Sequence, residues 1–398
     1  MCSQLLVDML RFLAPFIRNV QMTRSMQALY RGVFRIFFVL FHDFQDFLTE
    51  YYYAFLVELP PNAIQLRNVI LSPFPKGLKL PELGPPLTLF RHELMELHEP
   101  NLQRASFPEL IRNEEFRRKL EAFLLTKAPV TFLSELRTML MATPGLPEQG
   151  PIAGSRYNLQ MINGLVLFVG LHAISVLKQH MESSQAAAAA AAAQGGMSVE
   201  QGQSMSVGAA QKFLSWGAMF QQRKQFQELT VPHVDVFESL LVELDNEGRY
   251  LLCSAMVSHL RYPNPHTLFF GNVLITLMHC TSFVAGIGGM SGMSGGIGGI
   301  SGATAGTPGV VREIIMRCLL ERVIAGRPYP WGVVNVMQEL ARDPKLELHK
   351  LDFMRFHPDM EKYAHSLLHF SYSPLKWIPK SLAVATSASG PLLFVNWR

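Results

Sequence analysis

The chain has 398 residues, 49% of them apolar and 17% charged, and its 35 basic and 31 acidic side chains leave a net charge of +4. That length allows one large core or two to three domains, and that composition excludes a disordered chain. The small net charge lacks the concentrated basicity of a dedicated nucleic-acid binder.

The opening MCSQLLVDMLRFLAPF has neither the basic start nor the small-residue cleavage site of a secretory signal, and Asp8 and Arg11 interrupt its apolar run. Its periodicity predicts a helix over Gln4–Val20. Met26–Glu58 reads as a second, single helix. Within it, RGVFRIFFVLFHDFQDFLTEYYYAF is dense in aromatic side chains. Its uncharged run, Ile36–Phe41, is bounded by Arg31 and Arg35 on one side and Asp43 and Asp46 on the other, too short to span a membrane. RGVFRIFF is similar to the octamer of an RNA-recognition strand, but Val33 and Arg35 stand where stacking aromatics are needed. A helical core fits better. Phe34, Phe37, Phe41, Phe44, Leu48, Tyr51 and Phe55 recur at steps of three and four, and Ile36, Leu40 and Phe47 widen the stripe. So broad a face must be covered on more than one side, inside a multi-helix stack.

Proline then punctuates a run of helices. NAIQLRNVIL predicts a short helix with Asn62 as its N-cap. Ser72–Leu89 is a Pro/Gly-rich loop. Helices are expected over Asn113–Thr126, Val130–Met141 and Tyr157–His180. Ala186–Ala193 is a homopolymer and Gly286–Gly309 is rich in Gly, Met and Ser; both read as flexible inserts. Val234–Leu244, a segment capped by Asp245 or Asn246, and Thr267–Phe283 form the next helices. VVREIIMRCLLERVIA ends at Gly326, a left-handed cap. WGVVNVMQELA follows, and Pro358–Phe370 is the last helix. There is almost no alternating strand pattern with hairpin turns. The expected fold is all-α, an irregular HEAT-like stack of helical hairpins with disordered low-complexity inserts. The expected division is 1–182, an insert at 183–208, 209–283, an insert at 284–309, 310–371, and a disordered tail at 372–398.

The sequence carries no catalytic, cofactor or metal constellation. In HELMELH the two histidines, His92 and His98, are six apart rather than four, so they face different ways on a helix. GIGGMSG lacks a preceding strand and a Lys-Ser/Thr ending, and GxSxG does not occur. The four cysteines, Cys2, Cys253, Cys280 and Cys318, form no CxxC pair, which predicts reduced, core-filling thiols.

Two turns stand out for binding. RYPNPHT and GRPYPWG place aromatic and Arg side chains, the types enriched at hot spots, on stiff connections between helices. The candidate partner-binding residues are Arg261, Tyr262 and His266 on the first, Arg327, Tyr329 and Trp331 on the second, and Arg249 and Tyr250 on the preceding helix. The same aromatics could instead anchor the turns onto neighbouring helices.

Several unbroken blocks carry a family resemblance: PPNAIQLRNVILSPFP, PVTFLSELR, RYNLQMINGLVLFVG, LDNEGRYLLCSAMVSHLRYPNPHT and LLERVIAGRPYPWGV. Together they resemble the C-terminal homology domain of the Not-one scaffold, the largest subunit of the CCR–NOT complex of mRNA deadenylation. The likeness runs from about Leu5 to Phe370, except at the inserts, and does not include SPLKWIPKSLAVATSASGPLLFVNWR. It implies an all-α domain without catalysis or cofactors, which docks a heterodimer of Not-box subunits and short peptides from mRNA-bound repressors. It implies no direct contact with nucleic acid or membrane, and a place in the cytoplasm, decay granules included, and the nucleus. A helical-repeat RNA binder is the alternative.

Overall fold

A computed structural model describes residues 1–19, 22–78, 111, 113–142, 155–194, 226–279, 308–346, 348 and 351. Among these residues the structure is helical, and the β-pairing is an isolated bridge between Met141 and Tyr157. In chain order the helices are α1 (Cys2–Arg18), α2 (Arg24–Asp43), α3 (Gln45–Glu58), α4 (Ile64–Leu71), α5 (Glu114–Thr126), α6 (Thr131–Met139), α7 (Leu159–Gln194), α8 (226–243), α9 (Asn246–Val257), α10 (Pro265–His279), α11 (Pro308–Ile324) and α12 (Trp331–Arg342). They stack as an irregular HEAT-like array. His92–His98, Cys280, residues 286–307 of the Gly-rich insert, Pro358–Phe370 and the tail lie outside the described residues, while Pro308 and Gly309 open α11.

The expected single helix Met26–Glu58 is two helices. The chain turns at Phe44, whose backbone (φ −128°, ψ 52°) ends α2 while its N–H still donates to the Leu40 carbonyl at 2.9 Å. Folding back brings the ring of Phe37 edge-on to Phe55, centroids 5.3 Å apart. One straight rod would have kept these rows apart. The predicted stripe is divided accordingly: Phe37, Leu48 and Phe55 are buried, Phe44 is exposed, and Tyr52, off the stripe, is fully enclosed.

Asn62 does not cap α4, whose N-cap position is Ala63. Its side-chain amide donates instead to the Ile17 carbonyl at 3.0 Å, closing the C-terminus of α1. Asp245, one of the two caps expected there, does cap, accepting from Gly248 N–H at 3.0 Å. Asn113, expected as the first residue of its helix, caps α5 by accepting from Phe116 N–H at 3.0 Å. α7 runs past the expected His180 through the alanine homopolymer to Gln194. Alanine has the strongest helix preference, so Ala186–Ala193 prolongs the helix rather than ending it. By length and composition Leu159–Ser184 could cross a membrane, but 61% of its apolar window is buried inside the fold, as suits a central core helix.

Two hydrophobic clusters result. One joins α1–α4 around Leu10, Phe37, Tyr52 and Phe55. The other joins α5–α12 around Phe168, Phe237, Phe270 and Leu319 and takes up the free thiols of Cys253 and Cys318. α3 meets α7 and α4 meets α11 where the clusters adjoin.

Candidate functional site

The two turns singled out in the sequence lie against each other. The N–H of Gly332, in the first turn of α12, donates to the Arg261 carbonyl at 2.7 Å. Only glycine allows this approach, since a Cβ there would lie 2.8 Å from the Leu260 carbonyl carbon and 2.6 Å from the Thr267 methyl.

RYPNPHT is locked by its own side chains. Asn264 caps α10, accepting from Thr267 N–H at 3.0 Å, and its amide donates to the Tyr262 carbonyl at 2.7 Å. The Thr267 hydroxyl accepts from Arg261 N–H at 3.0 Å and reaches the Tyr262 carbonyl at 2.9 Å. Proline before Tyr329 and proline after it stiffen the second turn. Gly326, at φ +92°, adopts the left-handed conformation expected at the end of α11.

The predicted residues divide by burial. Arg261, Tyr262 and His266 are each 1% exposed and Arg249 is 4% exposed. Arg261 donates to the Thr49 carbonyl at 3.1 Å and sits 3.5 Å above the Tyr52 ring. It thus ties the first turn to α3 through hydrogen-bonding and cation–π contact. Tyr262 packs near Phe74, centroids 6.2 Å apart. Arg249 donates to the Leu241 and Val242 carbonyls at 2.7 and 3.1 Å, closing the C-terminus of α8. His266 is held neutral; burial first, then Arg261, takes its pKa down to about 3. Arg249, Arg261 and Tyr262 thus fasten neighbouring elements of the stack together. Tyr250 is half-buried, its hydroxyl donating to Glu321 at 2.8 Å. Arg327 is exposed, and Tyr329 and Trp331 are half-buried, Trp331 leaning on the larger core. The open part of the candidate site is therefore the GRPYPWG turn.

Sequence reading missed the polar seam between the two cores. Arg67 of α4 donates to the carbonyls of Leu56 (3.3 Å), Leu59 (2.6 Å) and Pro60 (3.2 Å), satisfying the end of α3. It also donates to the Ser258 hydroxyl at 3.0 Å, which Arg322 of α11 shares at 3.1 Å. Asn68 donates to the Arg322 carbonyl at 2.6 Å. Burial, reinforced by the neighbouring Arg322 cation, lowers the Arg67 pKa to about 9; burial brings that of Arg322 to about 10. The one available signal was an arginine inside each apolar block, IQLRNVIL and LLERVIA. Among the described residues no cluster of three or more His, Cys, Asp or Glu could hold a metal ion.

A family model described as "CCR4-Not complex component, Not1" matches residues 1–198 and 213–368. CCR4-NOT transcription complex subunit let-711 of Caenorhabditis elegans is 29% identical over 365 residues, 90% of this chain and 11% of that protein. General negative regulator of transcription subunit 1 of Saccharomyces cerevisiae is 23% identical over 92% of this chain and 14% of its own length. The chain thus spans a small fraction of these relatives. Among solved structures, the NOT1 superfamily homology domain from Chaetomium thermophilum superposes with a TM-score of 0.62 at 21% identity, covering 92% of this chain and 57% of that one. A Not1 C-terminal domain in complex with Not4 superposes at 0.57 with 19% identity, covering 91% of this chain and 57% of that one. Both share the helical fold.

Proposed function

The chain belongs to the Not1 family of CCR4-Not complex components, and from that premise we propose that it is a non-catalytic docking platform in mRNA deadenylation and translational repression. The observation that carries this reading is the family match along nearly the whole helical stack, together with the fold it shares with a Not1 domain solved in complex with Not4. Segments 1–182, 209–283 and 310–371 act as one scaffold, and 183–208 and 284–309 are inserts into it. The partners are the Not-box pair, a Not4-like subunit, and short peptides of mRNA-bound repressors. The GRPYPWG turn, with Arg327, Tyr329 and Trp331, supplies one contact. The scaffold works by mass action: tethering several subunits to one chain raises the effective concentration of deadenylase at a repressor-bound transcript. It acts in the cytoplasm and the nucleus.

A crosslinking map of the purified chain with the Not-box pair tests this reading. Crosslinks clustered on the helical stack, with protection around Arg327, are the expected result. No crosslinks above those of an unrelated helical protein would refute it.

A further inference from the structure

α2 encloses only Val33 and Phe37 as fully buried residues. At about 100° per residue, Arg24, Arg31 and Arg35 fall within about 40° of one another on its outer side, spread over about 16 Å of axis. All three are exposed, and none makes an ion pair or side-chain hydrogen bond among the described residues. The one acid in the helix is Asp43 at its far end, where it already holds His42 at 2.6 Å. Beside the arginines, Leu29, Ile36 and Val39 are 37%, 41% and 52% exposed. Ala28 and Gly32 lie exposed between, and a Cβ built on Gly32 would meet nothing. Like charges four apart, as in Arg31 and Arg35, repel. Aliphatic side chains left in water forgo burial. A partner with acids over the arginines and apolar side chains over the aliphatics removes both costs.

We infer that the outer face of α2 docks an acidic amphipathic helix of a partner polypeptide, its Asp and Glu side chains on Arg24, Arg31 and Arg35 and its apolar side chains on Leu29, Ile36 and Val39. The inference rests on the scaffold reading and adds a second docking face, away from the GRPYPWG turn. Nucleic acid fits less well. Three cations neutralise few phosphates, and the exposed side chains along one flank, Leu29, Ile36 and Val39, are aliphatic. The aromatics of the same helix are buried or half-buried, Phe34 edge-on to Phe38 at 4.8 Å, rather than open to bases.

The test uses the whole chain and a synthetic helix with Leu at i, i+3 and i+7 flanked by Glu, followed by fluorescence anisotropy. Wild type is expected to bind it, more weakly as salt rises. R24E/R31E/R35E and, independently, I36S/V39S are each expected to weaken binding by about tenfold or more, and charge reversal inverts the salt dependence, since salt then screens a repulsion. If charge reversal unfolds the chain, R31Q/R35Q carries the charge arm. Variants that bind the peptide like wild type overturn the inference, as does an RNA oligonucleotide that displaces the peptide and binds I36S/V39S unchanged. Pull-downs of the Not-box pair separate the two readings. Equal retention by wild type and by variants that still bind the peptide keeps the scaffold and removes this face. A wild type that binds the peptide but neither subunit removes the scaffold and keeps the face.

Discussion

At the scale of single residues, the polar side chains that matter most are buried, and burial decides their chemistry. Arg261 at 1% exposure works as a fastener between α3 and α10. Gly332 allows the two turns to touch, so Gly332→Ala is expected to lower unfolding stability by about 2 kcal/mol or more, although alanine is the better helix former. Urea denaturation measures this directly; an unchanged midpoint would mean that the backbone yields without cost. The buried imidazoles set a pH limit. His266 and His233 have pKa values lowered from 6.5 to about 3, burial being the largest cause in each; Arg261 adds to it for His266, and His172, 2.9 Å away, for His233. The unfolded chain therefore binds more protons than the folded one between pH 6.5 and 3, and stability falls as pH drops through that window. By pH 5 each histidine costs about 2 kcal/mol. Thermal melts at pH 7 and pH 5 are expected to show a clear loss at the lower value.

At the scale of elements, most helices were legible because their boundaries are written in local chemistry: Asn113 and Asp245 at N-caps, Gly326 at a C-terminus, proline in the turns. The break at Phe44 was not, because no Pro or Gly marks it. It arises where Phe37 and Phe55 gain more by facing each other than by continuing one rod, a tertiary gain that outweighs local preference. The two candidate turns were located correctly, yet Arg261, Tyr262 and His266 lie inside the stack, since a sequence window does not reveal which helix covers a turn. Arg67 escaped notice for the same reason. Its carbonyl partners lie in the last turn of α3 and just past it, and its hydroxyl partner, Ser258, beyond α9. Arg67→Met is expected to cost about 2–4 kcal/mol by leaving the end of α3 unsatisfied. Hydrogen exchange of α3 amides checks it; protection equal to wild type would show that the seam is dispensable.

At the scale of the whole molecule, two hydrophobic clusters are held together by a buried polar seam, and much of the outer surface of α2 is left uncovered. Stacked helices offer extended faces, and the family this chain belongs to is described as a CCR4-Not complex component. The claim on which the account depends is that this chain holds other subunits of that complex. Titration calorimetry of the purified chain with the co-purified Not-box pair tests it most directly. The account predicts saturable binding of one pair per chain at moderate salt. Heats indistinguishable from dilution, with both proteins shown to be folded, would contradict it.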